Sequence, residues 1–419
     1  MSDVAAPAKP SRRRVGRILA FVAVAGPGLI AANAGNDAGG VLTYASAGAQ
    51  FAYRSLFLMV LVTVALVVVQ EMCSRLGAYT GEGLGALIRE QFSVRASTGA
   101  LALLFVANVG LTVSEFAGIG AATELLGVSR YVSVPIALVA VWALTVLGNY
   151  SKAERVALLL SLAFLAYPIS AVLAHPDPSL VARDLLAPHF AHSTAFLVLA
   201  VALIGTTITP YMQFYVASAV VDKKIGPAQY PAERVDTVNG AILSDIVSIF
   251  IIIATAAAIG GSGPLQSARE AARALEPAVG SAAPSLFGIG LLGASLLAAG
   301  VVPLSTSYAI AEAVGAERSV SNSFRQAPLF FGLFTFQLVV GAAVALAPGN
   351  LISLVVNMQV LNGLITPVLL VFILILANRR SVLGDAANGR IFRVIATVCV
   401  VSVGALALAV VVLRALGKG

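Results

Sequence analysis

Asp37 is a carboxylate set in an apolar run, within a stretch that a helix would not choose: Gly26-Pro27-Gly28-Leu29-Ile30-Ala31-Ala32-Asn33-Ala34-Gly35-Asn36-Asp37-Ala38-Gly39-Gly40-Val41-Leu42-Thr43. Five glycines and a proline disfavour an unbroken helix, since glycine costs about 1 kcal/mol and interior proline about 3 kcal/mol against alanine. The spacing predicts an unwound segment around Asp37, with backbone carbonyls freed beside a negative charge. A second such place is Leu203-Ile204-Gly205-Thr206-Thr207-Ile208-Thr209-Pro210-Tyr211, where a proline sits among three threonine hydroxyls. Further along, Gln359, Asn362 and Thr366 fall on one face at helical spacing. Carboxylate, hydroxyl, amide and carbonyl oxygens in apolar surroundings are the chemistry of cation binding.

The elements that carry these groups belong to a membrane protein. Hydrophobic residues make up 59% of the chain and charged residues 11%, with a mean hydropathy of +0.95. A water-soluble globule carries about 25% charged residues. Windows of about 20 residues predict eleven spans near 17–48, 55–73, 97–125, 131–149, 154–174, 194–221, 238–260, 286–313, 327–347, 350–377 and 391–413. Residues 1–16, rich in Ala, Pro and Arg, read as a disordered cytoplasmic tail ahead of a transmembrane domain over 17–419. The apolar run after the tail is too long for a cleaved signal.

The net charge of +7 is a topology signal and calls for no nucleic-acid partner. With the N-terminus inside, 19 of the 26 Lys and Arg residues fall in inner segments, which predicts a multi-pass cell-membrane protein with its N-terminus cytoplasmic and its C-terminus outside. Cys73 and Cys399 lie at different depths, so no disulfide is expected. His175, His189 and His192 share one outer loop at spacings that match no usual ligand pair, and read as solvated.

Within the spans, Glu115 sits near mid-depth on the third. A carboxylate there costs roughly 2.5–3.5 kcal/mol on insertion scales, so it must face protein or water. Two readings stand for it: a structural carboxylate hydrogen-bonded to a broken helix, or a group that moves ions or protons. Asp245 on the seventh span, and Ser305, Thr306, Ser307 and Glu312 on the eighth, are expected to make helix-packing hydrogen bonds and an inner-gate ion pair. The section Arg269–Glu276 is expected to be a short surface helix. The two interrupted spans are the first of two sets of five, about 17–174 and 194–377, with an extra helix at 391–413. That arrangement is the pointer to an all-α inverted-repeat transporter with its site at mid-membrane.

The residues resemble the NRAMP divalent-metal transporters. The resemblance is carried by Gly26-Pro27-Gly28, Asp37-Ala38-Gly39-Gly40 with Thr43, Ala47-Gly48-Ala49, Gln70, Arg75-Leu76-Gly77 with Thr80-Gly81, Glu115, the Tyr150–Glu154 turn, Gly205-Thr206-Thr207 before Pro210, and Gln359 eight residues before Pro367. It runs from about Gly26 to Leu376 and implies a LeuT-like fold. It also implies an ion site made of Asp37, Thr209 and Gln359, with Ala38 and Thr206 giving backbone oxygens.

Departures from the family pattern refine that implication. Gly40 stands where the family has an asparagine ligand, and Thr209-Pro210-Tyr211 replaces Met-Pro-His. Loss of the soft thioether removes the preference for manganese, iron and cadmium over hard ions, and glycine at 40 widens the site for an ion that keeps part of its water. This is similar to the magnesium-transporting branch of the family. Thr112 and Tyr211 stand where that pattern has titratable groups, so uptake is expected to be uncoupled from protons or weakly coupled. Glu115, Thr112, Tyr211 and Asn362 are the expected gating or pathway positions.

The expectation is therefore a transporter, not an enzyme, that imports Mg2+ and also Mn2+ by alternating access. It needs no cofactor, the metal being substrate, and works as a monomer in the bilayer. A proton-coupled Mn2+/Fe2+ carrier is the alternative, and a sodium-coupled organic-solute symporter of the same fold ranks below it.

Overall fold

The chain is seen in a computed structural model that describes residues 36–147, 159, 162–188, 193–317 and 324–416. The tail 1–16, Gly26-Pro27-Gly28, the first half of the opening span, the Tyr150–Glu154 turn, His189 and His192 lie outside the described residues. Among the described residues the regular structure is all helical, with no strand.

The main helices are α1 (Ala38–Phe51), α2 (Leu56–Thr80), α3 (Leu84–Gln91), α4 (Val94–Leu125), α5 (Arg130–Val146), α6 (Ala166–Leu173), α7 (Thr194–Thr207), α8 (Pro210–Asp222), α9 (Tyr230–Ile259), α10 (Ala283–Val314), α11 (Pro328–Ala345), α12 (Leu351–Asn378) and α13 (Arg390–Ala415). Eight helical stretches are long and apolar enough to cross a membrane, α1–α2 and α7–α8 each counting as one, and α5 and Leu162–Leu173 are shorter apolar helices. Those two shorter helices overlap the fourth and fifth expected spans.

α1 is the innermost element described. Every residue from Ala38 to Ala49 is buried, and a helix buried on all sides has no need of a polar face. α1 lies against α9, α7, α12 and α4. Gly48 makes the α9 contact possible: a Cβ there would stand 2.6 Å from the Ile252 carbonyl. α4 is the second organiser, packed along α10, α11 and α12. It starts at Ser93, whose Oγ accepts the Ala96 N–H at 3.3 Å, and closes on α10 through Gly118, where a Cβ would stand 2.6 Å from Ser295 Oγ. Small residues at such crossings let membrane helices approach closely.

The sixth expected span is broken as its sequence predicts. α7 ends at Thr207, Ile208 turns away from helical geometry, and Thr209 is extended with ψ 136° before Pro210 opens α8. The cause is local. Proline excludes its preceding residue from helical geometry, yet is well placed in a first turn where its missing N–H has no partner to lose. Pro303 and Pro367, by contrast, sit inside α10 and α12, which continue through them.

The section Arg269–Glu276 is helical in short pieces that lie on the surface, with Arg269, Arg273 and Glu276 exposed and Ala271, Ala272, Ala274 and Leu275 buried against the bundle. A polar cluster also ties three helices together. Glu71 accepts from Tyr230 at 2.7 Å and pairs with Arg75 at 3.1 Å and Arg234 at 3.4 Å, while Arg75 reaches on to the Ala386 carbonyl and lies over the Phe392 ring.

Candidate metal site

The start of α1 gathers most of the expected site. Asp37 is the N-cap: its Oδ1 accepts the Gly40 N–H at 2.7 Å, and its own carbonyl accepts from Val41 at 3.0 Å. A helix N-terminus favours a negative cap because its first N–H groups have no partners within the helix. Glu115, carried in from α4, occupies the same end by accepting the Ala38 N–H through Oε2 at 3.3 Å. Two carboxylates thus meet one helix terminus, both fully buried or nearly so at 0% and 2% exposure. Among the described residues no lysine, arginine or histidine pairs with either. The Oε1 of Glu115 has no hydrogen-bond partner.

Gln359 comes from α12 and lies over Gly39, where a Cβ would stand 2.8 Å from its amide carbon and 3.2 Å from Asp37 Oδ1. Its Nε2 donates to Ser114 Oγ at 3.2 Å, which leaves Oε1 buried without a partner. The backbone of α12 at this point touches α7. A Cβ on Gly205 would collide with the Gln359 carbonyl and Gly363, and one on Gly363 with the Val201 carbonyl. This backbone-to-backbone contact brings Thr206 alongside Gln359.

Thr206 and Thr209 flank the break, both buried, both with an Oγ1 that lacks a partner. The last carbonyls of a helix also have no partner within it, so the C-terminal end of α7 turns partial negative charge toward the break. Thr366 closes the far side by donating to the Ile208 carbonyl at 3.5 Å. Tyr44 joins the two broken elements through a 2.9 Å bond with Thr207.

The other expected positions are placed around this centre. Ala38 is the first helical residue of α1, so it offers an N–H to the site, and its carbonyl would be available only if the first turn unwound. Gly40 contributes the N–H that holds Asp37. Thr112 faces away, its methyl against Gly341 of α11, with its hydroxyl on the Asn108 carbonyl at 2.8 Å. Tyr211 is buried in an apolar cluster with Leu111, Met212, Ala298 and Val302. Asn362 donates to the Met358 carbonyl at 3.0 Å and keeps a buried, unpartnered Oδ1. Ser305, Thr306 and Ser307 donate back to carbonyls within α10, and Thr306 also accepts from Asn108 of α4, a bond between helices of the kind expected. Asp245 is met by the Thr63 hydroxyl of α2, a hydrogen bond between helices of the kind expected of it, and among the described residues it makes no ion pair.

A helix broken at Thr209–Pro210 and packed against the buried α1, with buried oxygens at the break, is the arrangement of a multi-pass membrane protein of the LeuT-like class. The same architecture is seen in the crystal structure of the Eremococcus coleocola manganese transporter in complex with an aromatic bis-isothiourea substituted compound, which matches with a TM-score of 0.75 at 21% identity over 97% of this chain and 88% of that one. MhsT in complex with L-phenylalanine matches with a TM-score of 0.58 at 13% identity over 92% of this chain and 97% of that one. Residues 28–413 fit the family model described as Nramp, natural resistance-associated macrophage protein-like. The divalent metal cation transporter MntH of Ralstonia nicotianae is 30% identical over 399 residues, covering 89% of this chain and 86% of the relative. MntH 1 of Pseudomonas aeruginosa is 32% identical over 310 residues, covering 70% and 69%. The chain belongs to the Nramp family.

Proposed function

We propose that the protein imports a hard divalent cation, Mg2+ foremost and Mn2+ as well, by alternating access through the site at Asp37, without coupling to protons. The observation that carries this reading is the charge and softness of the site. Two buried carboxylates share the N-terminus of α1, and the oxygens of Thr206, Thr209 and Gln359 are buried without a partner among the described residues. Two negative charges with no counter-ion among the described residues match one divalent cation, and oxygen donors suit Mg2+. The relatives' designation as divalent metal cation transporters supports the same class of cargo.

In this reading Asp37 is the charged ligand, Thr209 and Gln359 line the site, and the C-terminal carbonyl of Thr206 adds a backbone oxygen. Gly40 leaves room for retained water. Ala38 links Asp37 to Glu115. The domain comprises eleven spans with repeats at about 17–174 and 194–377 and an extra helix at 391–413. It acts as a monomer with its N-terminus cytoplasmic and needs no cofactor. Proton independence is supported by Thr112, whose side chain packs on α11, and by Tyr211, which is enclosed in apolar contacts. The second reading, a proton-coupled Mn2+/Fe2+ carrier, draws on the unpartnered Oε1 of Glu115.

Uptake of Mg2+, Mn2+ and Ca2+ into proteoliposomes, with internal pH monitored in parallel, separates the two. Mg2+ entry with constant internal pH is expected. Mn2+ entry with acidification and no Mg2+ flux would overturn both the ion and the coupling.

A further inference from the structure

Asp245 is a buried carboxylate that the metal site does not use. It lies on α9, 1% exposed, and its Oδ2 has no hydrogen-bond partner. It borders a small enclosed cavity, with room for about one water-sized occupant, whose walls include Tyr44 of α1, Gln70 of α2, Thr207 of α7 and Ser244 of α9. Thr63 of α2 also faces the carboxyl. The Tyr44 hydroxyl bonds with Thr207 Oγ1 at 2.9 Å and also meets Ser248, and a hydroxyl oxygen carries two acceptor lone pairs beside its one donor, so these oxygens can still face a cation.

The charge around this cavity is unbalanced. Glu71, next to Gln70, is satisfied by Arg75, Arg234 and Tyr230. Among the described residues no cation reaches Asp245, and a buried carboxylate needs a counter-charge or a proton. A divalent ion would leave one positive charge uncompensated in a space too small for the waters Mg2+ retains. A proton would neutralise Asp245 but would leave the cavity beside it unfilled. One carboxylate, neutral oxygens and a water-sized hole fit a single positive charge on a small hard ion.

We propose that Asp245, Tyr44 and Thr207 form a second cation site for a small monovalent ion of the Na+ type, separate from the divalent site at Asp37. The site joins α9 to both broken elements, because Tyr44 belongs to α1 and Thr207 ends α7. Occupancy therefore ties α9 to the two helices whose termini build the metal site. The proposal does not rest on the divalent cargo, since its test uses no divalent ion.

The test is thermal unfolding of the purified full chain in detergent with EDTA, in NaCl replaced stepwise by choline chloride at constant ionic strength and pH. Na+ is expected to raise the midpoint in a saturable way, by about 2 °C or more. The rise should be lost in Asp245→Asn and Thr207→Val and kept in Asp37→Asn. An equal rise in choline or KCl would reduce the effect to screening and overturn the proposal. So would a Na+ response that survives Asp245→Asn. A wild-type midpoint that ignores Na+ but falls as pH rises, only while Asp245 is present, would assign the position to a proton instead.

Discussion

At the scale of single residues, the site turns on which atoms of Asp37 and its neighbours remain free. Asp37 spends Oδ1 on the Gly40 N–H and still supplies the charge. Asp37→Ala removes both the cap and the ligand, and its Mg2+ uptake in proteoliposomes should fall to the level of empty vesicles. Glu115 contributes charge at one remove, through the Ala38 N–H. Glu115→Gln keeps the shape and should raise the KM for Mg2+ about tenfold, equivalent to about 1.4 kcal/mol, with little change in internal pH during transport. An unchanged KM would confine Glu115 to holding the helix end. Thr209 is where softness can be restored. Thr209→Met should strengthen Cd2+ and Mn2+ binding relative to Mg2+, measured as competition against Mg2+ uptake, because a thioether prefers the softer ions.

Helices meet at the site through glycine. Gly205 and Gly363 let α7 and α12 touch along their backbones, and that contact sets Gln359 beside Thr206. A valine at 205 has nowhere to go but into the Gln359 carbonyl. Gly205→Val should destabilise the protein by about 2 kcal/mol and abolish uptake, read as a lowered unfolding midpoint together with lost Mg2+ flux. Wild-type stability and flux would show that the two helices can separate at no cost. The break between α7 and α8 was legible in the sequence because proline acts on its immediate neighbours. The Glu71–Arg75–Arg234 cluster was not, since Glu71 and Arg234 are brought together by the packing of α2 on α9 and no local pattern records that. The surroundings of Thr112 were not legible either, since its methyl meets Gly341 of α11, a residue distant in the chain.

For the whole molecule, import without protons requires another driving force. In the uptake proposed above the membrane potential would supply it, since 100 mV acting on a divalent ion is worth about 4.6 kcal/mol. Mg2+ uptake should therefore increase when a K+ diffusion potential makes the vesicle interior negative, and fall when the gradient is collapsed with valinomycin in equal K+. Uptake that tracks an imposed pH gradient and ignores the potential would contradict the uncoupled mechanism.

Composition and local pattern were enough to determine that this chain lives in a membrane and that its sixth span breaks at Thr209–Pro210, and they marked Asp37, which caps the start of α1. These are consequences of short-range physics: burial of apolar runs, the geometry of proline, and the cost of glycine within a helix. Which donors are left over was decided only by the tertiary structure. Long-range packing gave Ala38 to Glu115, turned Ala38's carbonyl into α1, took Thr112 to α11, and left oxygens on Thr206, Thr209, Gln359 and Asp245 without partners. A sequence shows which atoms can bind, but the atoms that remain free depend on every neighbour the fold assembles.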